Sequence, residues 1–171
     1  MSERPILAVD VDGVISLFGF DEAPERSVAR MELIDGSIHC ISLAAGARLN
    51  RLAEHYDLIW ATGWEDRANF SLPRLLGIPE MHHLTFGGTA RFGTAHWKLD
   101  ALETYGRGRP LAWIDDSFDE SCYEWARGRQ RAGDPTLLVP TESHLGIEEV
   151  QVEALIGWAQ GFEREARERS G

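Results

Sequence analysis

"ILAVDVDGVIS", residues 6–16, is the stretch on which the fold turns. Ile6, Leu7, Ala8 and Val9 form a short apolar run of the kind that makes a buried strand. The run ends in two carboxylates one residue apart, Asp10 and Asp12, followed at once by Gly13. Packing gives no reason for them. An ionised carboxylate at the edge of a core loses hydration unless a cation or hydrogen-bond donors replace the lost water.

Further along the chain, apolar runs alternate with amphipathic ones, the pattern of βαβ units around a parallel sheet. The predicted strands are Ile6 to Asp10, Asp57 to Thr62, His82 to Phe86, Leu111 to Asp115 and Thr136 to Val139. Helical stripes fall between them: Leu49, Leu52, Ala53 and Tyr56; Phe118, Cys122, Trp125 and Ala126; and Ile147, Val150, Ala154, Leu155, Trp158 and Phe162 in the last helix. Two regions depart from the alternation. "VARMELIDGSIHCIS", residues 28–42, reads as a hairpin turning at Asp35-Gly36, where both positions tolerate positive φ. The glycine-rich stretch 86–98 reads as a loop leading into a helix and matches neither glycine-based phosphate-loop pattern.

Composition narrows the class of protein. A chain of 171 residues, 43% hydrophobic, is long enough for one domain with a proper core, expected to span residues 1–171. The net charge of −11 disfavours extended nucleic-acid binding. Cys40 and Cys122 lie far apart, outside any C-x-x-C pattern, and read as reduced thiols. No apolar run approaches the roughly 20 residues that span a bilayer, and the acidic motif arrives too early for a signal peptide. A cytoplasmic protein without a membrane partner is expected.

Four stretches carry candidate chemistry, each at a strand end or helix start. They are Asp10-Val11-Asp12-Gly13; "LIWATGW", where Thr62 closes the second strand ahead of Gly63; "HWKLDALETY", where Lys98 shares a helical face with Ala101, Leu102 and Tyr105; and "LAWIDDSFD", which ends in Asp115 and Asp116. In an open parallel sheet the carboxyl ends of the strands line the ligand crevice, so these residues are expected to converge. Carboxylates with a hydroxyl and an ammonium suit a magnesium ion and a phosphoryl group.

The four stretches, in this order, resemble the motifs of the haloacid dehalogenase (HAD) superfamily of phosphohydrolases, over roughly residues 6–119. The resemblance implies a Rossmann-like three-layer α/β sandwich with a mostly parallel five-stranded sheet and a small β-hairpin flap at about residues 17–45. It implies a Mg2+-dependent phosphatase working through an aspartyl-phosphate. Asp10 is then the nucleophile and Asp12 the general acid and base, its backbone carbonyl on the metal. Thr62, Gly63 and Lys98 bind the phosphoryl oxygens, Lys98 steadies the nucleophile, and Asp115 and Asp116 hold the metal. "ATGWEDRAN" and "RPLAWIDD" resemble HAD domains associated with bacterial nucleic-acid repair, which makes a nucleic-acid 3′-phosphate an alternative to a small phosphorylated substrate.

Other readings fit less well. A dehalogenase of the superfamily lacks the second aspartate that Asp12 supplies, and a signalling receiver domain has its acidic pair near the N-terminus and its phosphorylated aspartate on a middle strand. A non-catalytic protein on the same scaffold needs none of these groups. Trp64, Glu65 and Arg67 follow the threonine and are candidates for the substrate pocket, but Glu65 and Asp66 suit a helix N-terminus, and that reading is preferred. Asn69 and Ser71 read as structural, beside a helix break at Pro73. His82, His83 and His96 lack the spacing of a zinc site.

Overall fold

The computed structural model describes residues 4–88 and 93–170, apart from the side chains of 166, 169 and 170; residues 89–92 of the predicted glycine-rich loop lie outside the described residues. In chain order the elements are β1 (Ile6–Val9), β2 (Ser16–Leu17), β3 (Ala29–Ile34), β4 (Ser37–Ser42), α1 (Ala45–Leu52), β5 (Asp57–Trp60), α2 (Ala68–Leu76), β6 (His82–His83), α3 (Leu99–Gly106), β7 (Leu111–Asp115), α4 (Glu120–Arg131), β8 (Thr136–Pro140) and α5 (Glu149–Ser170). Single 3-10 turns at Glu65–Arg67 and Ala95–Lys98 precede α2 and α3.

Five strands form one parallel sheet in the order β6-β5-β1-β7-β8. β1 lies at its centre and is buried on both faces, which explains why its sequence is a continuous apolar run rather than an alternating one. Leu7 and Val9 join a core with Leu49 and Leu52 of α1, Leu72 of α2 and Val152, Leu155 and Ala159 of α5. Ile6 and Ala8 face a second core with Leu102 of α3 and Cys122 of α4. The result is a three-layer, Rossmann-like sandwich.

From β1 the chain moves outward to β5 and β6, then returns past β1 to β7 and β8. Neighbouring strands β1 and β7 therefore send their connections to opposite sides, which opens a crevice at their carboxyl ends. Asp10 leaves β1 at that point, its N–H donating to Ile114 O at 3.1 Å. Between β1 and α1 stands the antiparallel sheet β2-β4-β3, whose β3 and β4 turn at Asp35 (φ 49°) and Gly36 (φ 78°), as predicted for the Asp-Gly pair.

Several elements differ from expectation, each for a local reason. The third predicted strand, His82 to Phe86, shrinks to His82–His83, because its partner β5 ends at Trp60 and offers nothing to pair with beyond it. Pro73 does not break its helix: α2 runs through it to Gly77, a left-handed cap at φ 66°, and Ile78 N–H bonds the Pro73 carbonyl at 3.1 Å. In α5 the buried stripe is Val152, Leu155 and Ala159, whereas Val150 is 69% exposed and Ala154 also faces out. That stripe packs with Leu49 and Leu52 of α1, and Arg51 of α1 pairs with Glu149 and Glu153 at the exposed margin of the same contact. Tyr56 is buried beyond the end of α1 and donates its hydroxyl to Leu155 O at 2.6 Å. α1 meets α2 closely at Gly46, where a Cβ would lie 2.8 Å from the Leu76 carbonyl carbon.

Candidate active site

The crevice at the carboxyl end of β1 and β7 holds most of the residues singled out in the sequence. Asp10, Asp12, Gly63, Lys98, Asp115 and Asp116 line one cavity of about 400 Å³, together with Phe18, Trp64, Arg67, Trp97 and Ser117. Thr62 is close by but does not line it: the residue is buried, and its hydroxyl accepts the Trp64 backbone N–H at 3.2 Å. A larger cavity of about 880 Å³ along the outer side of β6 is lined by His82, Phe86, Tyr105 and others. It contains none of the acids, so chemistry and not size marks the smaller one.

Lys98 is the hinge of the arrangement. It sits at the end of the 3-10 turn before α3, its side chain 3% exposed, and its Nζ lies 2.6 Å from Asp115 Oδ2 and 3.0 Å from Asp10 Oδ1. A buried ammonium is tolerated only when paired, and here two carboxylates pair it. Burial opposes its charge, yet Asp10 and Asp115 outweigh that and hold its pKa above the ordinary lysine value. Asp10 moves the other way. Loss of hydration pushes its carboxyl up, Lys98 pulls it back, and the nearby Asp115 charge pushes it up again, leaving it at about 8.

Asp115 is held further by Ser117 N–H on Oδ1 at 3.0 Å, and Asp116 accepts the Ser117 hydroxyl at 2.9 Å. Burial also raises the Asp116 pKa. Gly13 makes room for this pair: it has φ 76°, and a Cβ there would come 2.7 Å from Asp116 Cβ. Its carbonyl accepts the Thr141 hydroxyl at 2.8 Å, while Thr141 N–H bonds Asp115 O at 3.1 Å. The turn after β1 is thereby fastened to the ends of β7 and β8.

Asp10, Asp115 and Asp116 each offer a carboxylate oxygen, all within 4.8 Å of one another. Three hard oxygen donors facing a single ammonium fit a divalent cation such as Mg2+. The Asp12 carboxylate is not in that group. Its Oδ2 instead accepts the Trp64 indole N–H at 2.9 Å, which is compatible with the expectation that only its backbone carbonyl would serve the metal.

Reasoning from sequence weighed Trp64 and Arg67 as pocket-lining residues and preferred a helix start. The 3-10 turn does begin at Glu65, but both side chains also line the cavity. Glu65 has φ 51° and accepts Phe86 N–H at 3.1 Å. A non-glycine residue in the left-handed region two positions after Gly63 turns the chain there, and no residue pattern announces it. Asn69 is structural, joining Trp60 Nε1 at 2.9 Å to Met81 O at 2.7 Å. His82 stacks on Tyr105, and His96 bonds the Thr94 hydroxyl, so neither enters the acidic cavity.

No family model matches the chain, and no curated protein matches it in sequence. Among solved structures, the HAD domain of effector protein Lem4 from Legionella pneumophila is similar, with a TM-score of 0.51 and 16% identity, over 94% of this chain and 93% of that one. At that identity the likeness is one of fold. The architecture is HAD-like. No helix among the described residues is long and apolar enough to cross a membrane.

Proposed function

We propose that the protein is a Mg2+-dependent phosphoric monoester hydrolase acting through an aspartyl-phosphate on Asp10. The observation that carries this reading is the buried Lys98 bridging Asp10 and Asp115, with Asp116 close enough to share a cation. A structural salt bridge needs one carboxylate, whereas holding a cation beside a transferring phosphoryl group needs several.

In the first half-reaction an Asp10 carboxylate oxygen attacks phosphorus. The bond from phosphorus to the ester oxygen breaks, and Asp12 gives its proton to the departing alcohol. In the second, Asp12 takes a proton from water as that water attacks phosphorus, releasing inorganic phosphate and restoring the Asp10 carboxylate. Lys98 neutralises part of the phosphoryl charge and keeps Asp10 oriented. Thr62 and Gly63 supply donors to the phosphoryl oxygens; the Thr62 oxygen accepts the Trp64 N–H and its own O–H remains to donate. A magnesium ion held by Asp10, Asp115, Asp116 and the Asp12 carbonyl would supply Lewis-acid neutralisation of the transferring group. The β2-β4-β3 sheet serves as a small flap that leaves the cavity open to the leaving group.

Release of phosphate from an aryl phosphate tests the reading. Activity is expected with Mg2+, to vanish in chelator and in Asp10→Asn; activity that survives either condition overturns it. The same assay with nucleotides, sugar phosphates and 3′-phosphorylated oligonucleotides ranks substrates. The net charge of −11 favours a small phosphorylated molecule, or a nucleic-acid end contacted through few phosphates.

A further inference from the structure

Asp12 is the one acid of the site held away from the cluster, and what holds it is a closed ring of contacts. Its loop is tied to Ser16 by a β-bridge and by Gly13 N–H on Ser16 O at 2.8 Å. The Ser16 hydroxyl shares a hydrogen bond of 3.0 Å with His39 Nδ1 on β4. The His39 ring packs edge-on against Trp64, with centroids 4.7 Å apart and planes at 61°. The Trp64 indole N–H then returns to Asp12 Oδ2 at 2.9 Å. Trp64 also bonds Thr62 through its backbone N–H, so one residue touches two members of the site.

From this geometry we infer that Trp64 is the positioning residue for proton transfer: it pins one oxygen of Asp12, leaves the other to carry the proton, and is itself registered by His39 of the flap. The inference rests on the phosphatase reading above. Asp12 is partly exposed, so its carboxylate has room to rotate unless something holds it. Trp64 as a whole is 9% exposed, which limits the water that competes for its N–H. A general acid contributes only when aligned with the leaving oxygen, and small misplacements remove much of its effect. Among the ring's members only Trp64 offers a side-chain donor to Asp12. Its contact with His39 makes the seating of β4 a condition for that alignment.

The test is the dependence of kcat/KM on the leaving group, which reports the first half-reaction. Proton donation matters for an alkyl phosphate and hardly for 4-nitrophenyl phosphate, whose leaving group departs without help. In Trp64→Phe, which keeps a ring against His39 and removes the N–H, kcat/KM for an alkyl phosphate is expected to fall about 30-fold and for 4-nitrophenyl phosphate by no more than about threefold. In the Asp12→Asn background the same substitution is expected to cost neither substrate further. An equal loss on both substrates, or additive losses in the double variant, overturns the inference. Should Trp64→Phe fail to fold, His39→Ala takes its place, with the same substrate pattern at about fivefold; a uniform effect there overturns it equally. Failure of the phosphatase reading looks different: wild-type protein is inactive, or Asp10→Asn stays active, on every substrate.

Discussion

Lys98 and Arg129 are both buried cations, each with a side chain 3% exposed, and they stand at opposite ends of the sheet. Arg129 of α4 lies at the amino ends of β7 and β8. Its Nε donates to Thr136 Oγ1 at 2.9 Å, one Nη to Gly106 O at 2.8 Å and Arg109 O at 2.9 Å, and the other to Glu103 Oε2 at 3.1 Å. Most of these acceptors are neutral, and the nearest carboxylate, Glu103, is partly exposed. Lys98, at the carboxyl ends, faces Asp10 and Asp115 directly with Asp116 nearby. One end of the sheet satisfies its charge, and the other gathers three acids around a single ammonium. The first arrangement holds a fold together; the second is costly without a cation and is what a reaction on phosphate requires.

The largest expected effect lies at the unbalanced end. Asp10→Asn should lower phosphatase activity by at least about a thousandfold while leaving the thermal midpoint in metal-free buffer unchanged or higher, because a neutral amide replaces a desolvated acid. A large loss of stability would place Asp10 with Arg129 as a structural group and break the contrast. Arg129→Met should do the reverse. It is expected to cost about 3 kcal/mol in urea unfolding, since several buried acceptors lose their donor, with kcat/KM of the folded protein within about threefold. Lost activity at full stability would sink that assignment.

A smaller and graded effect separates the two ends through metal and pH. Mg2+ at a hundredfold its dissociation constant should stabilise the wild-type protein by about 2.7 kcal/mol, and clearly less in Asp116→Asn. The Asp10 carboxyl, at about 8 when folded against 3.8 as an isolated group, keeps a proton that the unfolded chain has released throughout that window. Metal-free stability should therefore fall as pH rises from about 4 to about 8, and level off above it. The cation displaces that proton, so its stabilisation should be greater at pH 9 than at pH 6. Calorimetric scans at the two pH values check this, and a metal shift indifferent to pH would sink it. Asp10→Asn should flatten the dependence, while Arg129→Met should leave it.

Much of the site was legible because its groups are local and punctual. Asp10, Thr62 and Asp115 each follow directly on an apolar run, with Asp116 next in line, and a strand that ends in such a residue announces its direction without any partner. The parallel sheet was legible for the same reason: buried strands read as unbroken apolar runs. What escaped was decided over distance. The length of β6 depends on where β5 stops, 22 residues earlier. The buried stripe of α5 depends on its docking against α1, about a hundred positions away, because two stripes fit the same helix and only docking selects one. Trp64 reads as an ordinary residue at a helix start until its indole is seen to meet Asp12, 52 positions back.

From its sequence alone the chain determined which groups would stand at the strand ends and which chemistry they suit, because residue type and alternation act over a few neighbours. Only the tertiary structure decided how their charge is shared: Lys98 between Asp10 and Asp115, Asp116 admitted by the missing Cβ of Gly13, and Asp12 drawn aside by Trp64. Electrostatic balance and orientation depend on distances of a few ångströms between segments remote in the chain, and those distances exist only once the layers have packed.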